Sequence, residues 1–289
     1  MSWKEIRSYL KNKFSRNTKM AKVTIRKVYE FEKPLVICDT NVWYQIVNGK
    51  FNKPEDVLLI PTSFSLEEIA TSKLMVHNAK YYQNVLKSIY DNCGPIIPNN
   101  PFDFILNNLD GNFKLNDEKT ELLLKGFSEL LSRKVDDVEI DEELKNKILK
   151  DCEDSRKPTF EFAHFGNEEI FSIRTNINKG IGIKEHLKED SSEINKQMMI
   201  EFFNTYAKVK NYTIIWDKFD WNQIELFMVV TEVFFKKLET TKNMKIKPND
   251  LVDWFNLLYV TPKDRYLTFD DRWRNYILED DRIKHYLYI

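Results

Sequence analysis

Apolar residues follow one pattern as far as Pro98, a second as far as Lys245, and the first again to the end of the chain. After Pro34, the continuous apolar run Leu35-Val36-Ile37-Cys38 lies between a proline and an aspartate, as in a strand covered on both faces. Asp39-Thr40-Asn41 follows, where Thr40 or Asn41 can cap a helix over Val42 to Val47 that Asn48-Gly49 stops. A second buried strand is expected at Val57 to Ile60. Ser63 or Ser65 then caps a long helix starting near Leu66, with Ile69, Ala70, Leu74, Val85 and Ile89 among its apolar positions. Pro95-Ile96-Ile97-Pro98 reads as a third short strand.

From Pro101 onward the spacing turns mostly helical, with helices expected over roughly 115–133, 140–153, 186–210 and 219–239, the last apolar on nearly every side. The first pattern then returns. Pro248-Asn249-Asp250 opens a helix over Leu251 to Val260, Arg265 to Thr268 reads as a strand ending in Phe269-Asp270-Asp271, and His285 to Ile289 reads as a last short strand. This order predicts an α/β fold, a parallel sheet with helices on both faces, interrupted by a mostly helical insertion. The expected division is a basic extension over 1–33, a discontinuous α/β domain from 34–100 and 245–289, and the insertion over 101–244.

In open parallel sheets, functional groups collect beyond the carboxyl ends of the strands. Asp39 and the Asp270-Asp271 pair sit at such ends. Glu67 and Glu68 lie in the first turn of the helix after the second strand, and Asp250 and Asp253 near the start of the helix before the late strand. Carboxylates from four separate stretches therefore reach one edge. Packed together they repel one another unless a divalent cation neutralises them, and oxygen donors without His or Cys point to Mg2+ or Mn2+. Each acid also has a plainer reading, as a helix cap or a first-turn carboxylate favouring the helix dipole. Asp250 and Asp253 stand three apart on one helix face, so either can be the third acid.

Composition narrows the partners. The 44 Lys and Arg residues nearly balance 45 Asp and Glu, so no general positive field draws a polyanion and any such contact must be local. Residues 1–33 hold ten basic and three acidic side chains, and Trp3, Ile6, Tyr9, Leu10 and Phe14 recur near helical spacing: a basic amphipathic segment. The first sixteen residues are too polar for a secretory signal, and no apolar run is long enough to span a membrane, so a cytoplasmic protein without membrane contact is expected. Cys38, Cys93 and Cys152 are widely spaced and read as reduced thiols. The four histidines show no metal-ligand spacing, and no glycine-rich phosphate loop is present.

An apolar strand ending in Asp39-Thr40-Asn41, Glu68-Ile69 in the second helix, an acid at the head of a late helix (Asp250 or Asp253), and the strand end Thr268-Phe269-Asp270 together resemble a PIN-domain nuclease. The resemblance covers about 34–98 and 245–289. It implies a three-layer α/β/α fold and a metal-dependent endoribonuclease. Asp39, Glu68, Asp253 and Asp270 would be the catalytic acids and ligands of Mg2+ or Mn2+. Asp250, Asp271 and Glu67 are second-choice ligands, and Thr40, Asn41 and Thr268 give support. Single-stranded RNA is the implied substrate, with DNA not excluded. The chain departs from the family in two ways: bulky Trp254 and Phe255 follow Asp253, and Glu68 stands 185 positions before Asp253. Asp39-Thr40-Asn41 also resembles the haloacid dehalogenase nucleophile strand, but Asn41 occupies the place of that chemistry's second Asp. The alternative from a different class is an inactive PIN-like scaffold that binds a protein or RNA through the insertion, or forms a homodimer. Phosphate contacts, where made, are expected from the basic amino-terminal segment and from Arg272 and Arg274.

Overall fold

A computed structural model describes residues 32–109, 113, 121, 125–126, 128, 141–178 and 191–289. The expected basic segment and most of the 115–133 helix lie outside these residues. The fold is mixed α/β and mostly helical, around a three-stranded parallel sheet of order β2-β1-β3: β1 Leu35–Cys38, β2 Leu58–Pro61 and β3 Arg265–Leu267. In this register Ile37 stands beside Ile60 on one side and Tyr266 on the other. Asp39, Thr62 and Thr268, each the residue after its strand, therefore emerge at one edge.

Two expected strands shrink to isolated bridges. Around Pro95–Pro98 only Ile96 and Ile97 make bridges, Ile97 to Thr62, with Leu59 to Cys93 just before, because the prolines have no N–H to give to a ladder. At the end of the chain, Lys284–Tyr286 winds into a 3-10 turn, leaving only the bridge from Tyr266 to Leu287.

Between β1 and β2, helix α1 (Thr40–Val47) is capped by Asp39 rather than by Thr40 or Asn41, and Gly49 beyond its end takes φ 67, which favours glycine. After β2, Thr62 caps α2 (Ser63–Ala70), its hydroxyl accepting from the Ser65 N–H. The long helix expected there is broken: α3 (Leu74–His77) and α4 (Ala79–Asn92, capped by Asn78) follow as separate pieces. Thr71 and Ser72 cause the break, since their hydroxyls bond the Glu67 and Ile69 carbonyls and so compete with the next helical N–H groups.

The middle of the chain supplies α5 (Pro101–Leu109), α6 (Glu142–Asn178), α7 (Ser191–Val209) and α8 (Glu225–Thr240, entered by a 3-10 turn at Trp221–Ile224). Helix α6 runs far past the expected stop at 153, through Pro158. One proline removes a single backbone bond, and the buried Cys152, Ala163 and Ile170 along one face outweigh that loss. Helices α9 (Asp250–Asn256) and α10 (Asp271–Leu278) flank β3.

Alternate strand residues enter two cores. Leu35, Ile37, Ile60 and Tyr266 join Phe227, Val230 and Phe234 of α8, Trp254 of α9 and Trp273 of α10. Val36, Cys38, Leu59 and Leu267 join α1, α2 and α4 through Trp43, Leu66, Ile69 and Val85. The expected insertion thus does not keep a core to itself: α5, α7 and α8 share theirs with one face of the sheet. The same packing accounts for the bulky residues after Asp253. The Trp254 ring stacks on Phe227 at 5.2 Å and meets Phe162 of α6, and its Nε1 donates to the Thr231 hydroxyl at 2.7 Å.

Arg174 of α6 fastens the end of α8 by donating to the Leu238, Lys242 and Met244 carbonyls. Arg174→Ala should therefore cost about 2 kcal/mol of stability, because it strips charged donors from helix-end carbonyls. Arg174→Lys should recover little, a point charge being unable to span three acceptors. Urea titration measures both, and a cost below about 0.5 kcal/mol for Arg174→Ala would refute the role.

No helix among the described residues is long and apolar enough to cross a membrane. All three cysteines are free thiols.

Candidate functional site

Asp39 is 4% exposed, and its carboxylate takes three hydrogen bonds. Oδ1 accepts from the Thr40 N–H at 2.6 Å, and Oδ2 accepts from Asn41 Nδ2 and the Thr268 hydroxyl, each at 2.8 Å. The backbone brings these partners together: Asp39 N–H donates to the Leu267 carbonyl at 3.0 Å, setting Thr268 beside it. Asn41 also accepts from the Phe269 N–H through Oδ1, and the Thr268 hydroxyl accepts from the Asp270 N–H. The Asp39-Thr40-Asn41 and Thr268-Phe269-Asp270 segments, more than 220 residues apart, thus form one hydrogen-bonded unit. Asp270 itself caps α10, Oδ1 accepting from the Arg272 and Trp273 N–H groups. The plainer reading of both acids as caps is thus correct as far as it goes.

Two polar ties that the sequence did not announce bring in the other acids. The Ser65 hydroxyl donates to the Cys38 carbonyl at 3.0 Å, holding α2 against the end of β1, and Glu68 follows Ser65 by three on the same helix. The Thr62 hydroxyl donates to Asn256 at 2.8 Å, tying α9, and with it Asp253, to the end of β2. Trp273 Nε1 then donates to Asp253 Oδ2 at 3.1 Å. Spacing alone carried some of this signal: Ser65 precedes Glu68 by three, and Trp273 follows Asp270 by three.

The four acids share one electrostatic neighbourhood. Burial pushes Asp39 up to about 7, with the Glu68 and Asp270 charges adding to the rise and the Thr268 hydrogen bond opposing it. Burial also holds Asp253 well above the ordinary carboxylate range, reinforced by Asp39, Glu68 and Asp270 and countered by Trp273. The Tyr266 hydroxyl is fully buried without a hydrogen-bond partner among the described residues, with the Asn256 side chain nearby easing the rise in its pKa. Burial first, then the Asp39 and Asp253 charges, raise this phenol too.

The second-choice acids lie apart. Asp250, 1% exposed, is held by Arg272, whose Nη1 donates to Oδ2 at 2.9 Å and whose Nη2 bonds Oδ1, while the Lys247 N–H also donates to Oδ2. Its oxygens are spoken for, so of the two acids on α9 it is Asp253 that faces the group. Glu67 acts on Tyr259 instead, and Asp271 is exposed at the start of α10. Arg272, expected to contact phosphate or pair with Glu279 or Asp280, is committed to Asp250. Arg274 has no ion-pair partner among the described residues.

As the side chains lie, no group of three or more His, Cys, Asp or Glu among the described residues is arranged to hold a metal ion. Donor type and free oxygens nevertheless suit a hard cation. The Glu68 carboxylate, Asp253 Oδ1 and Asp270 Oδ2 have no hydrogen-bond partner among the described residues, and Asp39 keeps an unused lone pair on Oδ1. The histidines stand elsewhere: His164 pairs with Glu168 on the surface of α6, His77 ends α3, and His285 lies in the final 3-10 turn, while His186 is outside the described residues. No protein-family model, no curated protein and no solved structure matches the chain.

Proposed function

We propose that this chain is a PIN-like, Mg2+- or Mn2+-dependent phosphodiesterase that cuts single-stranded RNA internally, with Asp39, Glu68, Asp253 and Asp270 as its ligand set. One observation carries the reading. Carboxylates from four separate parts of the chain meet at the sheet edge, where the Glu68 and Asp270 charges raise the proton affinity of the buried Asp39 and Asp253, and none of the four pairs with a Lys or Arg among the described residues. A structural acid cluster is normally neutralised by a basic side chain, as Asp250 is by Arg272. The unpartnered Tyr266 hydroxyl beside the acids is a second sign that the site is built for more than packing. The substrate class rests on the resemblance.

When bound, a divalent ion at such a site supplies a water of lowered pKa and offsets charge on the leaving oxygen. The chain's own groups have distinct tasks. Thr268 and Asn41 fix the Asp39 carboxylate, and Trp273 fixes that of Asp253. Glu68 and Asp270 keep free oxygens that side-chain rotation can bring inward, and Arg274, on the helix that Asp270 caps, is the cation available for a substrate phosphate.

Incubating the purified chain with end-labelled single-stranded RNA should show internal cleavage with Mn2+ and none with chelator. Asp39→Asn, Asp253→Asn and Asp270→Asn should each abolish it, while Asp271→Asn should leave it intact. Unchanged cleavage by Asp253→Asn would overturn the assignment. Absence of cleavage across single-stranded and structured RNA and DNA would turn the reading to the binding scaffold.

A further inference from the structure

We propose that Phe269, braced by Phe51, is a stacking platform for one nucleobase of a single-stranded nucleic acid; the inference rests on the nucleic-acid reading of the acidic edge. Phe269 is 38% exposed and lies between Thr268, which bonds Asp39, and Asp270. Among the large apolar side chains exposed in the described residues, it alone is flanked on both sides by residues of the site.

Its position is fixed from two directions. The Phe269 N–H donates to Asn41 Oδ1 at 3.0 Å, and Asn41 in turn donates to Asp39, so the backbone is pinned to the acid it would serve. Phe51, on the loop after α1, meets the Phe269 ring edge to face at 5.3 Å and 67°. A ring ordered in advance loses little entropy when a flat partner settles on it.

The electrostatics call for such a device. The four acids repel a polyanion, the whole chain carries a formal charge of -1, and Arg272, the basic side chain closest in sequence to Asp270, is committed to Asp250. Beyond what Arg274 can offer a phosphate, attraction to the edge needs a source indifferent to charge. Base stacking on an aromatic ring is that, and every base offers a π face. The bases of a duplex are already stacked on one another, so the platform selects single strands or splayed loops.

The test uses the full chain in chelator, where no cleavage intervenes, with a short single-stranded RNA carrying one 2-aminopurine, its DNA counterpart, and the same sequences as duplexes. Binding to either single strand should quench 2-aminopurine. Phe269→Leu should weaken single-strand binding about tenfold or more and remove the quench while the duplexes change little, and Phe269→Trp should restore both. RNA and DNA arms that respond alike place recognition on the base, and a response to RNA alone adds the sugar to the platform. Equal weakening of duplex and single strand, an undiminished Phe269→Leu affinity, or no binding of any oligonucleotide by the unmutated chain would overturn the proposal. The metal reading is scored apart by Mn2+ in the same proteins: Mn2+-dependent cleavage with an indifferent Phe269→Leu leaves a nuclease without the platform. Phe269-dependent binding without any Mn2+ effect leaves the platform without the nuclease. Thermal unfolding of Phe269→Leu and Phe51→Leu checks that each variant is folded.

Discussion

Replacing Arg272 by Met is expected to destabilise the protein by about 3 kcal/mol, because it leaves the carboxylate of Asp250, 1% exposed, buried without its countercharge. The Arg272 side chain is itself 23% exposed and Asp250 keeps the Lys247 N–H, which places the cost at the low end of the range for breaking a buried pair. Adding Asp250→Asn should return much of the loss, since the amide needs no cation. The pair spans the first turns of α9 and α10, the helices that carry Asp253 and Asp270, so its loss should also loosen the spacing of those acids. Urea unfolding of the two single variants and the double variant gives the coupling energy. Additive costs would show that Arg272 and Asp250 do not act on each other.

Removing the charge of Asp253 should have the opposite sign. With chelator present, Asp253→Asn is expected to be more stable than the unmutated chain, because it removes a buried carboxylate whose ionisation burial and the Asp39, Glu68 and Asp270 charges oppose. The amide oxygen can still accept from Trp273, and its N–H groups can face the neighbouring carboxylates. Asp39→Asn should gain less or nothing. Whichever way that amide turns, its N–H groups meet either the Thr40 N–H or Asn41 Nδ2, donor against donor. Mn2+ at a hundredfold excess over Kd should stabilise the unmutated protein by about 2.7 kcal/mol and both variants far less. A metal response of equal size in all three would mean that these acids do not form a metal site.

The pH dependence of the metal-free protein has a definite sign. Asp39 is raised to about 7 in the fold against 3.8 for the free side chain, so between those values the folded state holds a proton that the unfolded state has released. Stability therefore falls as pH rises from about 4 to about 7, by on the order of 4 kcal/mol if Asp39 acts alone. Below the window both states are protonated and nothing is lost; above it the cost stays constant. Thermal unfolding across this range in chelator measures the slope, which Asp253, raised in the same direction, also feeds; a clearly shallower profile in Asp39→Asn assigns the Asp39 share, and an unchanged one refutes it.

Several features were legible in the chain itself. The continuous apolar runs at Leu35–Cys38 and Leu58–Ile60 have no polar side to expose and became paired parallel strands. The acids that end or follow such runs stand at the sheet edge because strand direction leaves them nowhere else. Weak local signals were less reliable: prolines thinned one expected strand to isolated bridges, yet Pro158 failed to stop a helix whose face was already buried.

The sequence by itself determined that strands and helices alternate at both ends of the chain, that Asp39, Glu68 and Asp270 come from separate stretches on the same side of the sheet, and that Asp250 or Asp253 accompanies them. Only the tertiary structure decided between those two. They stand three apart on one short helix, and the choice depends on Arg272 and Trp273, some twenty residues further on, which turn one acid into an ion pair and leave the other beside Asp39. It decided as well that the helical middle shares its core with the sheet, because the side chains joining them, Phe227, Phe234, Trp254 and Trp273, find partners only once the chain has folded back on itself. Periodicity reports which face of an element is apolar; it holds no record of what that face will meet.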